Sequence, residues 1–178
     1  MALAIVAITA PSAQAFVSKG HLWAGAGAAN IGHAAPSNFG WWGPSLHLGV
    51  VTEISDFWRV TADLGASHHF STTDEDDESI GPYTVASGAL GVRYAFDVAI
   101  YVPYIGLAAA VHPMGPPSSA SPQGELLSLR ATIGLDYRKS RNFSFGAAAE
   151  LHAPVSEPSE FPHYSSIRAH LAYHFERF

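Results

Sequence analysis

The stretch IRAHLAYHF, residues 167–175, decides the fold, because apolar and ionisable side chains alternate along most of it. The apolar set is Ile167, Ala169, Leu171, Tyr173 and Phe175, and the ionisable set is Arg168, His170 and His174. Successive side chains of a β-strand point to opposite faces, so a period of two predicts a strand with two unlike faces. One face of this strand is apolar, and the opposite face can carry charge.

The same alternation recurs along the rest of the chain, which shows no sustained helical periodicity after residue 20. The predicted strands span residues 19–29, 44–54, 57–69, 83–96, 99–112, 126–138, 143–153 and 165–176. Alternating runs that are separated by turn signals are typical of an all-β fold. The sequence therefore predicts eight antiparallel strands in a single domain.

The connections between these strands alternate in length. Short turns are predicted around residues 55–56, 97–98 and 140–142, whereas the connections after the first, third, fifth and seventh strands are long and rich in Pro, Ser, Gly and acidic residues. In an up-and-down meander, alternate connections lie at the same end. All long loops should therefore emerge at one end, and all short turns at the other.

Composition limits the class of protein. Hydrophobic residues make up 48% of the 178 residues, yet no run reaches the roughly 18 apolar residues of a membrane-spanning helix. Cysteine is absent, which excludes disulfides, thiolate metal sites and a cysteine nucleophile. Strand parity by itself fits either a soluble barrel with an apolar lumen or a membrane barrel with an apolar outer face.

The aromatic residues favour the membrane barrel. Those on the apolar face and close to the short turns are Trp58, Tyr94, Phe96, Tyr101, Tyr137, Phe143, Phe145, Tyr173 and Phe175. Aromatic rings prefer the headgroup level of a membrane, whereas a soluble core gives large rings no reason to collect at one end. The pattern predicts an aromatic girdle at one membrane interface.

The charges on the opposite face also favour a membrane barrel, because they are balanced. By parity this face carries Arg59, Arg93, Arg130, Arg138 and Arg168 against Glu53, Asp63, Asp136, Glu150 and Glu176. A narrow lumen that excludes bulk water requires such pairing. With His152, His170 and His174, these side chains are predicted to form a polar network that plugs the lumen. The turn lengths place Glu53 opposite Arg59, and Arg130 opposite His152.

The N-terminus suggests export. Residues 1–15 have an apolar segment followed by the small-x-small motif Ala13-Gln14-Ala15, without a basic n-region, and predict a signal peptide before a mature domain of residues 16–178. With its eight alternating strands, its short turns on one side and IRAHLAYHF, the chain resembles the small eight-stranded outer-membrane β-barrel proteins of Gram-negative bacteria. The resemblance implies contact with outer-membrane lipid and insertion by the barrel-assembly machinery. We expect a monomer without a cofactor, with both termini on the periplasmic side.

The last strand would carry the assembly signal, through Leu171, Tyr173, Phe175 and Phe178. The apolar alternation ends at Phe175, and Phe178 is out of phase with it, so either ring can serve as the terminal anchor. Pro103 lies within the fifth predicted strand and lacks the N–H that a ladder needs. We expect a bulge or a local gap at Pro103.

Motifs for other chemistries are weak. The acidic run at residues 74–78 lacks the glycine and the ligand spacing of an EF-hand. The four long loops together hold eight acids and neither Lys nor Arg, which disfavours nucleic acid as a partner. Histidines collect toward the long-loop end, namely His33, His69, His112, His152 and His163. A metal site at this rim is conceivable, but no metal-binding spacing within a strand supports it, and we assign no metal.

The function that the sequence favours is a plugged barrel with a structural or surface-interaction role through acidic extracellular loops. The main alternative is a narrow pore or a carrier for small solutes. A lipid-modifying hydrolase that uses Ser128, His152 and Glu150 is less favoured, since a lipid-cleaving nucleophile should face lipid and no hydrolase signature is present. A soluble lipocalin-like binder would need the apolar face to line the lumen. The extracellular ligand stays open.

Overall fold

A computed structural model describes residues 18–32, 41–70, 72–73, 79–80, 82–96, 100–113, 125–155 and 163–177. The strands are β1 (Ser18–Gly32), β2 (Trp41–Glu53), β3 (Trp58–His69), β4 (Thr72–Thr73), β5 (Ser79–Ile80), β6 (Tyr83–Ala95), β7 (Tyr101–Pro113), β8 (Glu125–Arg138), β9 (Phe143–Pro154) and β10 (His163–Arg177). The eight long strands match the predicted ones to within three residues at each end. The short hairpin of β4 and β5 lies within the second long connection and was not predicted.

The long strands form a closed antiparallel barrel in the order β1-β10-β9-β8-β7-β6-β3-β2. Closure comes from β1 and β10, which pair without interruption from Ser18↔Arg177 to Gly32↔His163. Each long strand otherwise pairs with its neighbours in sequence, so the predicted up-and-down meander is confirmed. Within the described residues, no helix is long and apolar enough to cross a membrane.

Side chains alternate between the lumen and the outer surface along every long strand. In β9, for example, each buried residue from Ser144 to His152 is followed by an exposed one. The outer surface is covered by large apolar side chains, including Leu129 at 50% and Ile133 at 64% exposure. A soluble protein rarely exposes so large a continuous apolar surface. The outer surface is therefore suited to lipid, and the polar side chains face inward.

Two short turns set the register of their hairpins in the same way. Ser55 Oγ accepts a hydrogen bond from the Trp58 amide at 3.0 Å, and Ser140 Oγ accepts one from the Phe143 amide at 3.1 Å. In each case the serine is the third residue before the first residue of the next strand, so its side chain closes the turn. The resulting register places Glu53 opposite Arg59, as predicted.

The bulge or local gap predicted at Pro103 does not occur in the ladder with β8. The β7–β8 ladder continues through the pair Pro103↔Leu135. The Pro103 carbonyl accepts a hydrogen bond from the Phe96 amide at 2.8 Å, so the missing N–H faces Phe96. Phe96 lies one residue beyond the last β6–β7 pair, Ala95↔Tyr104. The proline therefore removes a donor only where the β6–β7 ladder already ends, and the pairing of β7 with β8 is uninterrupted.

The outward orientation of β8 leads to a test of the lipid-facing surface. Ile133→Arg places a charge near the middle of the apolar band and should lower the free energy of unfolding by about 2–4 kcal/mol. The measurement is equilibrium unfolding in lipid vesicles. The matched control is Lys139→Arg, an exposed position beyond the end of β8, which should change stability little. Equal stability of both variants would contradict the assignment of the outer face to lipid.

Candidate functional site

The lumen is filled by side chains, and its large residues face small ones. Trp23 on β1 lies against Gly49 on β2, where a Cβ atom would collide with the indole ring. Tyr104 on β7 lies in the same way against Gly134 on β8. Both rings are almost fully buried. The inward-facing glycines therefore provide the space that the large inward side chains occupy.

A four-charge cluster of Asp63, Arg130, Glu150 and Arg168 lies in the middle of the barrel. Arg130 donates two hydrogen bonds to Asp63, at 2.6 and 2.5 Å, and its Nη1 lies 3.5 Å from Glu150 Oε1. Arg168 forms an ion pair with the same Glu150 carboxylate, which also accepts a hydrogen bond from Ser166 Oγ at 3.1 Å. All four charged side chains are buried. Two cations and two anions leave the cluster neutral, and bidentate pairing offsets part of the desolvation cost.

On the side of this cluster that faces the short turns, two guanidinium groups lie over aromatic rings. The Arg93 guanidinium lies 4.1 Å from the centre of the Tyr104 ring, and the Arg168 guanidinium lies 4.5 Å from the Trp23 ring. A cation over a ring face in a dry site is stabilised by the ring quadrupole. Aromatic side chains in the lumen therefore hold the guanidinium groups in place alongside the carboxylates.

The other predicted lumen residues lie nearer the turn end. His170 Nε2 and Asp136 Oδ1 are 2.7 Å apart, and His174 Nε2 lies 2.7 Å from Ser144 Oγ. The Arg59–Glu53 pair at 3.3 Å is asymmetric, since the Arg59 side chain is buried while that of Glu53 is 24% exposed.

The turn-end mouth of the barrel forms a cavity of about 650 Å³. Arg138, which is partly buried, lines this cavity with Glu53 and His174. The structure describes the side chains of all the predicted lumen charges except Glu176, of which only the backbone is described. The mouth is the least enclosed part of the predicted network.

At the opposite end of the lumen, three polar side chains form an outer histidine cluster, defined here as His112, Ser128 and His152. His112 Nε2 lies 3.1 Å from His152 Nδ1 and 3.0 Å from Ser128 Oγ. Arg130 and His152 are paired across β8 and β9, the register predicted from the turn. The Tyr164 ring contacts both imidazoles, with its centroid 5.3 Å from that of His112 and 4.8 Å from that of His152.

The other rim histidines are His33, His69 and His163. His69 is buried and its Nε2 lies 3.0 Å from Ser67 Oγ. His33 and the side chain of His163 lie outside the described residues. In the part of the chain that the structure describes, no three His, Asp or Glu side chains are arranged to hold a metal ion.

The candidate hydrolase residues are close together but poorly placed for lipid chemistry. Ser128 Oγ lies 3.5 Å from His152 Nδ1, and His152 Nε2 lies 4.0 Å from Glu150 Oε2. The order of groups is that of a catalytic triad, yet the serine is 1% exposed and points into the lumen. A lipid ester in the membrane cannot reach this hydroxyl.

The predicted girdle residues form ring contacts near the short turns. Tyr94 contacts Trp58 and Phe96 with centroids 5.2 and 4.9 Å apart, and Tyr137 contacts Tyr101 and Phe145 at 5.2 and 4.9 Å.

The last strand extends this band of rings. Tyr173 contacts Phe143 at 5.3 Å, and Phe175 is partly buried beside Gly20. Leu171 faces outward. Phe178, the last residue of the predicted assembly signal, lies outside the described residues.

Sequence reasoning overlooked several lumen residues that strand parity could have identified. Trp23, His21 and His47 occupy the inward positions of β1 and β2 and are all buried. Tyr164 is the first inward side chain described on β10. The alternation along each strand predicts that these side chains face inward. It does not predict which side chains they contact across the barrel.

The closed ladder, the apolar outer surface and the polar lumen define a transmembrane β-barrel. Residues 1–175 match the outer membrane protein beta-barrel domain family, and the chain belongs to this family. It is an outer-membrane protein of Gram-negative bacteria, as the resemblance implied. Among curated proteins, none matches this sequence.

Solved structures share the fold at low sequence identity. Neisserial surface protein A is 16% identical with a TM-score of 0.67, covering 88% of this chain and 97% of its own. OprG from Pseudomonas aeruginosa is 13% identical with a TM-score of 0.64, covering 88% and 96%. Ail, the attachment invasion locus protein of Yersinia pestis, in complex with the heparin analogue sucrose octasulfate, is 13% identical with a TM-score of 0.62, covering 90% and 100%.

The four-charge cluster predicts a strong dependence of stability on Asp63. Asp63→Asn leaves Arg130 without its bidentate partner in a buried site and should lower the free energy of unfolding by about 3–5 kcal/mol. The control is Glu53→Gln, which breaks a partly exposed pair and should cost below about 1 kcal/mol. Both are measured by denaturant unfolding of the folded barrel in detergent. If Asp63→Asn cost no more than the control, the cluster would not stabilise the barrel.

Proposed function

We propose that this protein is a closed, non-conducting barrel that holds acidic loops at the cell surface, where the loops contact a cationic partner. The observation that carries the proposal is the four-charge cluster, because it blocks the centre of the lumen with paired, buried side chains. A protein whose lumen is filled in this way performs its function outside the lumen. The long loops are then the surface available to a partner.

A conducting pore fits the lumen less well. Eight strands enclose an interior about wide enough for side chains alone. Here the Arg130–Asp63 bonds link β8 to β3, which are separated by two other strands in the barrel order, so they cross the lumen. An ion that passed would have to break the bonds of Arg130 and Arg168 to their carboxylates.

Enzymatic activity also lacks support from the lumen. The hydroxyl of Ser128 is buried, faces away from lipid, and lies closer to His112 Nε2, at 3.0 Å, than to His152 Nδ1, at 3.5 Å. We propose that the Ser128, His152 and Glu150 side chains belong to the hydrogen-bonded lumen and are not catalytic. The protein acts as a monomer, without nucleic acid as a partner.

The charge of the loops points to the chemistry of the partner. The long connections contain seven acidic residues, including the run at 74–78, and neither Lys nor Arg, and Glu125 adds an eighth acid at the start of β8. Such a surface attracts cationic groups and repels polyanions. Ail has been crystallised with the heparin analogue sucrose octasulfate, which is a polyanion. The acidic loops of the present chain would repel a polyanion. We therefore propose that a cationic protein surface, and not a sulfated glycan, is the partner.

Planar-bilayer recording tests the closed lumen. The unmodified protein should give no steady conductance. Arg130→Ala removes the side chain that bridges the lumen and should raise the leak, whereas His68→Ala, on the exposed outer side of β3, should not. Stable, ion-selective channels from the unmodified protein would overturn the closed lumen and support the pore.

Binding to surfaces of defined charge tests the role of the loops. Vesicles that carry the folded protein should bind polylysine-coated beads, more weakly as salt rises, and should ignore heparin beads. Replacing the five acids at 74–78 by their amides should reduce polylysine binding several-fold, while Asp56→Asn at a short turn should have no effect in correctly oriented vesicles. Heparin binding by the unmodified protein, or polylysine binding that is indifferent to the five acids, would contradict the proposal.

A further inference from the structure

The cavity of about 650 Å³ at the turn end of the barrel has a charged wall and an apolar wall. The ionisable side chains that line it are Lys19, Glu53, Arg138, Arg141 and His174. The apolar side chains are Ile100, which is half exposed and precedes Tyr101 of the aromatic girdle, and Phe175, which follows Tyr173 on the outward face of β10. The cavity therefore extends from the mouth of the lumen to the lipid-facing surface.

The charged wall carries excess positive charge. Among the described side chains, three cations line the cavity against one carboxylate, Glu53, which also lies 3.3 Å from the buried Arg59 guanidinium. Glu176 lies opposite Lys19 in the β1–β10 ladder. Counting Glu176 as well, the cavity has three cations against two carboxylates, and Arg59 adds a fourth cation beside Glu53. A bound anion would balance this charge, as carboxylates balance the arginines in the four-charge cluster.

We propose that this cavity binds the phosphate group of an anionic phospholipid from the membrane leaflet at the turn end. Guanidinium groups match the geometry of phosphate through paired hydrogen bonds, and an ammonium group attracts phosphate as a point charge. Basic residues at a membrane surface attract anionic headgroups. The phosphate lies against Lys19, Arg138 and Arg141, while the glycerol and the first carbons of the acyl chains lie against Ile100 and Phe175.

The aromatic girdle places the cavity at the depth of the lipid headgroups. Phe143 and Tyr173, with ring centroids 5.3 Å apart, belong to this girdle. Arg141 precedes Phe143 by two residues, and Phe175 follows Tyr173 by two residues. Since aromatic rings prefer the headgroup level, the phosphate of a lipid is the anion that is present at this depth.

Two backbone hydrogen bonds join the walls of the cavity. The His174 amide donates to the Asn142 carbonyl at 2.8 Å, which ties the β8–β9 turn to β10. The Arg138 amide donates to the Ile100 carbonyl at 2.8 Å, which ties the charged wall to the apolar wall. On the inner side, the His174 ring contacts that of His21, with centroids 4.8 Å apart, so side chains occupy the lumen next to the cavity. Walls that are already in place lose little freedom when a ligand binds.

Native mass spectrometry of the full-length chain, folded in a neutral maltoside detergent, tests the site. The probes are phosphatidylglycerol and phosphatidylcholine with the same acyl chains, and free diphosphate. The unmodified protein should retain one phosphatidylglycerol about tenfold more tightly than phosphatidylcholine, in which choline cancels the phosphate charge. Diphosphate at the same concentration as the lipid should not displace phosphatidylglycerol, because it has no contact with the apolar wall.

Variants of the β8–β9 turn separate the cavity from its surroundings. Arg138→Gln and Arg141→Gln each remove one cation from the wall and should weaken phosphatidylglycerol binding about tenfold. The matched control is Lys139→Gln, which removes the same charge from the same turn at an exposed position that does not line the cavity. Its affinity for phosphatidylglycerol should equal that of the unmodified protein.

Three outcomes would overturn the proposal. Unchanged affinity in Arg141→Gln is decisive, because Arg141 is exposed in a turn and its replacement leaves the barrel core intact. An equal loss in Lys139→Gln would assign the attraction to the general charge of the turn end. Equal retention of the two lipids, or displacement of phosphatidylglycerol by diphosphate, would show that the cavity does not select an anionic lipid.

Discussion

The structure depends on the closure of the hydrogen-bonded ladder between β1 and β10. In the hydrocarbon of a membrane, no water is available to backbone amides and carbonyls, so a sheet that crosses it must leave no edge. The fifteen consecutive pairs from Ser18↔Arg177 to Gly32↔His163 provide that closure. With eight strands, closure also fixes the width of the lumen to that of a layer of side chains. Glycine opposite Trp23 and opposite Tyr104 follows from this limit.

The narrow lumen in turn determines how charge is arranged. A guanidinium group that faces inward cannot reach bulk water, and it must find carboxylates or ring faces within the barrel. Arg130 and Arg168 share Glu150, and both also have a second partner, Asp63 or the Trp23 ring. The shared carboxylate makes the cluster a coupled network whose members do not contribute independently. The Arg130–Asp63 bonds also connect β8 to β3, which are separated by two other strands, so this pair resists deformation of the cross-section.

Much of the fold could be predicted from the sequence because it is determined locally. Alternation fixes which side chains face the lumen, and turn lengths fix registers such as Glu53↔Arg59. The Arg130–Asp63 bonds join residues 67 positions apart and depend on strand tilt, stagger and side-chain rotamers, none of which appears in the alternation. Pro103 shows the limit of a local rule. The missing N–H of a proline disturbs a sheet only where a carbonyl of the neighbouring strand would accept a bond from it. Pro103 lies opposite Phe96, one residue beyond the last pair of the β6–β7 ladder.

Positive and negative residues are distributed unevenly along the barrel axis. All nine Lys and Arg residues belong to the lumen or to the turn end, whereas eight of the fifteen acids lie in or beside the long connections. A cation that approaches the long-loop end therefore meets a field that becomes less favourable as it moves inward, from the acids of the loops to the neutral cluster around Arg130. The four-charge cluster thus separates a long-loop end that carries acids without Lys or Arg from a turn end that carries both signs, so the charge of the loops has no fixed counter-charge beside it.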